Sequence, residues 1–218
     1  MTTKYTKHPI TVQGWDREEQ FNFFKSFTQP FFNVHTEIDI TPLYTYCKRT
    51  QTSVFMAYLY VTLQAARTAD NFLYRLDNGQ PVKYEGLDIS TTLLKDNQTI
   101  AFAHFPFQDS LAEFCASAQA ISQEVKSSPK LFHGYQGPDN LHVTTLPWFP
   151  FKGMEHAFMI NDQEAGIPKI AFGQLEKREH GVFLPLSIAL HHALADGFHI
   201  HLFLQQMSGY INAFDFAG

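Results

Sequence analysis

Charged residues and cysteine are both scarce in this chain. Of its 218 residues, 17% are charged, the formal net charge is -5, and there are 2 cysteines. Nucleic-acid binding relies on an excess of Lys and Arg that neutralises phosphates, so this charge balance excludes a nucleic-acid partner. Cys47 and Cys115 have neither a paired metal-binding spacing nor a paired redox spacing, so we expect both to be reduced thiols in the core.

Long apolar runs are also missing. No segment approaches the roughly 20 uncharged apolar residues that span a bilayer, and the N-terminal MTTKYTKHPI lacks the apolar core of a signal peptide. We therefore expect a cytoplasmic protein with no membrane partner. Disorder is excluded because 44% of the residues are hydrophobic and 22 are Phe. Without repeats or low-complexity stretches, residues 1–218 are expected to form a single domain.

The first half of the chain mixes helical and strand patterns. Glu18 to Phe27 has helical spacing of its Phe residues, and the segment TEIDIT alternates like a strand before Thr41-Pro42 begins another helix. Residues 53–67 are apolar nearly all round, which predicts a buried helix. The dipeptides Asn78-Gly79 and Asp96-Asn97 predict the turns of two hairpins.

The second half continues the mixture. Asp109 is expected to cap a helix that runs to Ser128, and the strand LHVTTLPW follows a loop rich in Gly and Pro. A hairpin between residues 170 and 191 is expected to turn near His180-Gly181, and a final helix follows Gly197. Because the strands and helices do not alternate strictly, we predict a mixed sheet with helices on one face.

The segment SIALHHALADGFHI carries the strongest signal for chemistry. Period-2 alternation places His192 where an apolar stripe ends, and Asp196 follows at the start of a helix. An imidazole in such a half-buried position can take a proton from a hydroxyl, while a nearby carboxylate holds the local geometry. Two other interpretations stay open at this point. One is a hydrogen-bonded histidine pair in the core, and the other is a zinc site formed by His191, His192, His199 and His201.

The residues HHALADGFH resemble the HHxxxDG active-site motif of the chloramphenicol acetyltransferase family. Further similarities follow in the order found in that family, in WDREEQFNFF, IDIT, KLFHG, TTLPW and FLPLSIALHH. Together they cover residues 15–214, which is nearly the whole chain. Dihydrolipoamide acyltransferase cores, carnitine acyltransferases and peptide-synthetase condensation domains share the motif, but the size and context of this chain favour the first family.

The resemblance implies an α/β fold, the two-layer sandwich of CoA-dependent acyltransferases, with helices packed on one face of a mixed β-sheet. It implies acetyl-CoA as co-substrate and direct transfer of acetyl to an acceptor hydroxyl, without a covalent enzyme intermediate. Chloramphenicol is the leading acceptor, and no metal is implied. The resemblance also implies a homotrimer whose active sites lie at the subunit interfaces.

The catalytic roles come from the same resemblance. His192 corresponds to the general base. Asp196 corresponds to an aspartate that pairs with an arginine and shapes the local backbone, and Arg17 falls where that arginine lies. Thr144 stands where the family has a serine that donates a hydrogen bond to the oxyanion. A threonine hydroxyl can donate the same hydrogen bond, although its methyl group restricts χ1.

The resemblance also assigns two sets of binding residues. The acceptor pocket is expected to be lined by Phe24, Thr28, Pro30, Phe32, Met154 and His156. The residues expected around coenzyme A are Trp148, Ala171, Gln174 and Leu175. Thr28 and His156 are polar where the enclosure of chloramphenicol is apolar, and Gln174-Leu175 replaces a Lys-Tyr pair. Two alternatives therefore remain, namely an acetyltransferase for a different hydroxylated acceptor and a weak or inactive member that binds a ligand.

Overall fold

The computed structural model describes residues 3–157 and 166–216. Its helices are α1 (Glu18–Phe24), α2 (Thr41–Thr50), α3 (Val54–Thr68), α4 (Asp70–Leu73), α5 (Leu111–Ser127), α6 (Gly197–Asn212) and a 3-10 helix (Ala213–Phe216). Its strands are β1 (Lys7–Pro9), β2 (Phe31–Asp39), β3 (Tyr74–Asp77), β4 (Gln80–Tyr84), β5 (Asp88–Leu94), β6 (Ile100–Phe105), β7 (Phe132–His133), β8 (Asn140–Thr145), β9 (Lys169–Phe172), β10 (Glu176–Arg178) and β11 (Gly181–His191).

The large sheet is mixed, as expected. Within the described residues it has eight strands, and β1, β4 and β3 form a separate small sheet. Strand β11 pairs antiparallel with β2 along one side and with β9 and β10 along the other. Strands β9, β8 and β5 then follow in parallel, and β6 returns antiparallel to β5. Strand β2 therefore lies at one edge of the sheet and β7 at the other.

Four helices form the second layer of the fold. The buried apolar residues of α2, α3, α5 and α6 form one cluster with alternate residues of the sheet, among them Leu141, Ile170 and Leu186. Burying a Leu or Phe side chain contributes roughly 1.5 to 3 kcal/mol, so this cluster is the main source of stability. Along each strand, the residues that alternate with these core residues point to the other side of the sheet, which we call the helix-free face.

Most of the predicted elements are present. Helix α3 begins after Ser53, whose hydroxyl accepts from the Met56 backbone N–H at 3.4 Å, and it is buried along most of its length. The first predicted hairpin turns at Asn78-Gly79, where both residues have positive φ. Such φ values are those of a type I′ turn, which matches the twist of the flanking strands. The second hairpin joins β5 to β6 through residues 95–99.

Two predicted helix boundaries are wrong. Helix α1 ends at Phe24 rather than at Phe27. Beyond Phe24 the chain forms a turn, in which the Phe27 N–H donates to the Phe24 carbonyl three residues back instead of four. Helix α5 is capped by Ser110 and not by Asp109. The Ser110 hydroxyl accepts from the Glu113 backbone N–H at 3.2 Å, while Asp109 stays exposed.

Among the described residues, every helix is too short or too polar to cross a membrane. Both cysteines are free thiols, with Cys47 buried and Cys115 half-buried. Burial raises the pKa of both thiols, to about 11 in Cys47. Neither group is therefore a reactive thiolate at neutral pH.

Candidate active site

Strand β11 places the two adjacent histidines at the end of the sheet. Its alternate residues from Val182 to Leu190 join the helical core, and the strand ends at His191, so His192 lies just beyond the last pair. The backbone N–H of His192 donates to the Pro30 carbonyl at 2.8 Å, and its carbonyl accepts from Arg17 Nη2 at 3.1 Å. Both backbone groups of His192 are thereby fixed.

Two aromatic rings hold the imidazole of His192. Phe24 stacks on it with centroids 3.8 Å apart and an interplanar angle of 4°, and Phe32 lies at 4.5 Å. His192 Nδ1 is 3.2 Å from Asp196 Oδ1, yet it is buried and has no hydrogen-bond partner within the described residues. The contact is therefore electrostatic rather than a directed hydrogen bond. Since 32% of the side chain is exposed, Nε2 is the nitrogen that a substrate can reach.

Arg17 and Asp196 form a forked ion pair beside this imidazole. Arg17 Nη1 donates to one carboxylate oxygen and Nη2 donates to the other at 3.1 Å. Arg17 holds the pKa of the Asp196 carboxyl below its usual value, so the carboxylate stays ionised at neutral pH. Because Arg17 also contacts the His192 carbonyl, the pair links α1, α6 and the end of β11.

The other histidines of the motif have separate surroundings. His191 is buried, its Nδ1 accepts from the Ala193 N–H at 3.2 Å, and burial lowers its pKa to about 4. His199 Nδ1 accepts from the Asp196 backbone N–H at 2.9 Å, which completes the cap of α6. Along residues 3–157 and 166–216, no three His, Cys, Asp or Glu side chains come together as metal ligands.

Thr144 lies far from His192 in the same chain. Thr144 pairs with Ala171, which pairs with Ser187, and His192 follows Ser187 by five residues. At about 3.3 Å per residue and 4.8 Å per strand, the two Cα atoms are separated by about 16 Å along the strands and about 10 Å across them. One chain therefore does not bring the Thr144 hydroxyl to the His192 imidazole.

A cavity of about 480 Å³ lies at the end of β8 and β9 that is nearer Thr144. Three residues expected around coenzyme A line it, Trp148, Gln174 and Leu175. Ala171 does not, because its side chain is fully buried in β9. The lining contains no charged side chain. The cavity thus suits an uncharged, flexible chain better than a phosphate.

The expected acceptor residues lie in two places. Phe24, Phe32 and Pro30 surround His192, and Thr28 is exposed in the loop between α1 and β2. Met154 and His156 instead belong to the segment that crosses the helix-free face, where the Met154 N–H donates to Ser187 Oγ at 2.9 Å.

Most residues that line the cavity were not predicted from the sequence, and two of them are aromatic residues of α3. Phe55 and Tyr58 project from the first turns of α3, and the Tyr58 hydroxyl lies 3.1 Å from Thr145 Oγ1. We interpreted this segment as a buried core helix only. A tyrosine within an otherwise apolar helix is the signal that marked the position, since a buried phenol requires a polar partner.

Comparison with known proteins identifies the family of this chain. The model of the family described as chloramphenicol acetyltransferase matches residues 4–208. The chain belongs to the chloramphenicol acetyltransferase family. It is therefore an acyltransferase of that family, and the resemblance noted in the sequence is confirmed.

Relatives in the chloramphenicol acetyltransferase family match along nearly their whole length. Chloramphenicol acetyltransferase 3 of Escherichia coli is 25% identical over 96% of this chain and 98% of its own. Chloramphenicol acetyltransferase of Bacillus pumilus is 26% identical over 89% of each chain. A solved chloramphenicol acetyltransferase structure superposes with a TM-score of 0.84 at 23% identity, covering 94% of this chain and all of that one. The predicted fold class is confirmed.

The same fold recurs in dihydrolipoamide acetyltransferases. The Azotobacter vinelandii enzyme superposes with a TM-score of 0.66 at 13% identity, covering 94% of this chain and 90% of that one. The cubic core of a pyruvate dehydrogenase complex superposes with a TM-score of 0.64 at 14% identity, covering 84% of this chain and 81% of that one. Both are more distant in structure than the chloramphenicol acetyltransferase.

Proposed function

We propose that this protein is an acetyl-CoA-dependent O-acetyltransferase in which His192 is the general base, with chloramphenicol as the leading named acceptor. The observation that carries the proposal is the fixed imidazole, stacked on Phe24 with Nε2 accessible. A base must be held within hydrogen-bond reach of the proton that it removes. Here the ring contacts and both backbone hydrogen bonds of His192 supply that restraint.

The proposed reaction is a direct transfer. His192 Nε2 takes the proton of the acceptor hydroxyl while the hydroxyl oxygen attacks the thioester carbonyl carbon. The carbonyl electron pair moves to oxygen, and the Thr144 hydroxyl donates a hydrogen bond to that oxyanion. When the C–S bond breaks, the thiolate of coenzyme A leaves and takes the proton from His192. A positioned base contributes about 10²- to 10⁴-fold, and an oxyanion donor about 10²- to 10³-fold.

The distance between His192 and Thr144 supports a site shared by two copies. Because one chain holds them about 19 Å apart, a second copy must supply the oxyanion donor. In the proposed homotrimer, His192 of one subunit faces Thr144 and the cavity of the next. The three sites are then equivalent.

Exposed aromatic residues support the same assembly. Phe23 is 61% exposed beside the His192 end. In a different part of the surface, Trp148 is 56% exposed beside the cavity and Phe132 is 54% exposed on the edge strand β7. Two different patches that bind each other head to tail form a closed ring when the rotation between neighbouring copies brings the last copy back to the first. Sedimentation or light scattering should therefore give a mass near three chains. A stable and fully active monomer would contradict this assembly.

Departures around the cavity support the alternative, a weak or inactive member that binds a ligand. Gln174 and Leu175 line the cavity in place of the expected Lys-Tyr pair and offer no charge there. A free-thiol assay with acetyl-CoA and a panel of hydroxylated acceptors separates the two functions. The acetyltransferase should release coenzyme A in proportion to acceptor. Binding of acceptors without any thiol release would favour the alternative.

A further inference from the structure

A row of polar side chains crosses the helix-free face of the sheet. His104 of β6 pairs with Ser90 of β5, Ser90 pairs with His142 of β8, and His142 pairs with Lys169 of β9. The residues next to them in sequence belong to the helical core, so these four side chains point to the helix-free face together. We call these four residues the polar row.

The charged groups around the polar row are satisfied by the protein itself. Asp88 accepts from Lys4 Nζ, the Tyr5 hydroxyl, His104 Nε2 and the Phe107 N–H, at 2.6 to 2.9 Å. The buried Arg75 guanidinium donates to four backbone carbonyls, those of Phe72, Tyr74, Pro138 and Asn140. Lys169 Nζ donates to the Ala157 carbonyl at 3.2 Å and faces the Phe31 ring. A charged ligand would thus have to displace existing partners.

The neutral groups of this region are not satisfied. Ser90 Oγ and His156 Nε2 are buried and have no hydrogen-bond partner within the described residues. The half-buried His142 ring likewise makes no hydrogen bond with any described residue. Burial, together with the nearby Lys169 charge, lowers the pKa of His142 and of His156 to about 4. At neutral pH each imidazole is therefore uncharged and has one donor and one acceptor nitrogen.

His142 lies next to the proposed reacting centre. It precedes Thr144 by two residues on the same face of β8, which places the two Cα atoms about 7 Å apart. The cavity lies on the Thr145 side of Thr144, so an acceptor that approaches the thioester from the opposite side would extend over the His142 ring. On β6, Phe102 shares this face and stacks on Phe132 at 5.2 Å, which adds a flat apolar surface.

We propose that, alongside chloramphenicol, the site accepts neutral, polyhydroxylated molecules such as sugars or polyols in preference to apolar or anionic alcohols, and that His142 is a specificity-determining residue that binds a second hydroxyl of such an acceptor. This inference rests on the proposed acetyltransferase function. A hydroxyl is both donor and acceptor, so it matches the uncharged imidazole and the Ser90 hydroxyl. An apolar acceptor leaves those groups unpaired, and an anion finds the nearby cations already bonded.

Three acceptors that share a six-membered ring test the proposal. They are methyl glucopyranoside, cyclohexylmethanol and the corresponding methyl glucuronide. We expect wild-type kcat/KM for the glucopyranoside to exceed that for cyclohexylmethanol by at least about tenfold, because unpaired polar groups disfavour the apolar ring. A preference for cyclohexylmethanol, or a tenfold preference for the glucuronide, would overturn the proposal.

Substitutions at His142 sharpen the test. His142→Phe should abolish most of the preference, chiefly through KM, and His142→Gln should retain more of it because the amide still hydrogen-bonds. His180→Phe, a matched change in the exposed β10–β11 turn, should leave the preference unchanged. A preference that survives in His142→Phe overturns the role of His142. If His142→Phe fails to fold, the preference for the glucopyranoside is compared between His142→Gln and wild type, and an undiminished preference in His142→Gln overturns the role of His142.

Equilibrium binding separates this inference from the proposed function. Calorimetric titration of the three acceptors into the protein with coenzyme A present needs no turnover. Preferential binding of the glucopyranoside without any acetyl transfer would contradict the acetyltransferase and support the pocket chemistry. Transfer to apolar alcohols, with no preference in binding, would support the acetyltransferase and contradict the inference.

Discussion

At the His192 end of the sheet the Arg17–Asp196 pair and the His192 backbone are bonded to each other, although His192 Nδ1 and Arg17 Nε are buried without a hydrogen-bond partner within the described residues. On the helix-free face near Thr144, by contrast, the buried atoms without a partner belong to neutral side chains. Arg17, Asp196 and the Pro30 carbonyl restrain His192 from three sides. Ser90 Oγ and His156 Nε2, on the helix-free face, have no hydrogen bond within the described residues. Unpaired buried groups are costly, so they persist where a ligand or water pairs with them.

The contrast indicates a division of labour between the two regions. The His192 end is held by hydrogen bonds and ring contacts of the protein itself, as the proposed base requires. The helix-free face carries neutral polar side chains, among them Ser90, His142 and His156, where the family resemblance leads us to expect an apolar pocket. We therefore expect substitutions in the first region to change the rate of transfer and those in the second to change the choice of acceptor.

The largest effect should come from His192 itself. His192→Ala should lower acetyl transfer at least about 10³-fold with little change in the melting temperature, because the base acts mainly in the transition state. His191→Ala should cost less activity. Steady-state thiol release and a thermal melt of both variants provide the measurement. Equal losses in the two variants, or an active His192→Ala protein, would show that the base is misassigned.

Removal of Arg17 should have the next largest effect. Arg17→Gln should lower kcat/KM by about 10- to 100-fold, because a displaced His192 backbone misplaces the base. Arg178→Gln serves as the control, since Arg178 pairs with Glu37 and Glu176 on the surface away from this site. An unchanged kcat/KM in Arg17→Gln would argue against a positioning role.

The pH dependence of stability gives the Arg17 pair a second test. The folded pKa of Asp196 lies below its unfolded value of about 4, so the pair stabilises the protein above that pH and loses its effect as the pH falls through the folded pKa. The difference in melting temperature between wild type and Arg17→Gln should therefore be present at pH 6 and shrink below about pH 4. A difference that is constant with pH would contradict the ion-pair explanation.

The smallest effect should be a gain of function toward chloramphenicol. The double substitution Thr28→Leu with His156→Leu should raise kcat/KM for chloramphenicol several-fold, chiefly by lowering KM. The change replaces polar groups by apolar surface, and burying such surface against the acceptor contributes about 25 cal/mol per Å² to binding. Initial-rate kinetics on both proteins check this. A low micromolar KM in wild type, or an unchanged KM in the double variant, would show that these residues do not line the pocket.

Local patterns predicted much of the fold and the His192 end. Turn dipeptides such as Asn78-Gly79 determine φ locally, and the alternation of β11 follows from its buried face. The Asp109 cap was wrong because Ser110 is an equally good cap one residue later. The polar row was not predictable, since it depends on the register of four strands from β5 to β9 that are separated in sequence.

The site shared between two copies is the central claim, and subunit complementation tests it most directly. His192→Ala and Thr144→Val should each be nearly inactive alone. After denaturation, mixing in equal amounts and refolding, about a quarter of the sites combine an intact His192 from one subunit with an intact Thr144 from the next, and activity should return to about a quarter of wild type. A mixture of His192→Ala with His192→Asn should stay inactive. No recovery in the first mixture, once exchange of subunits is demonstrated, would contradict the shared site.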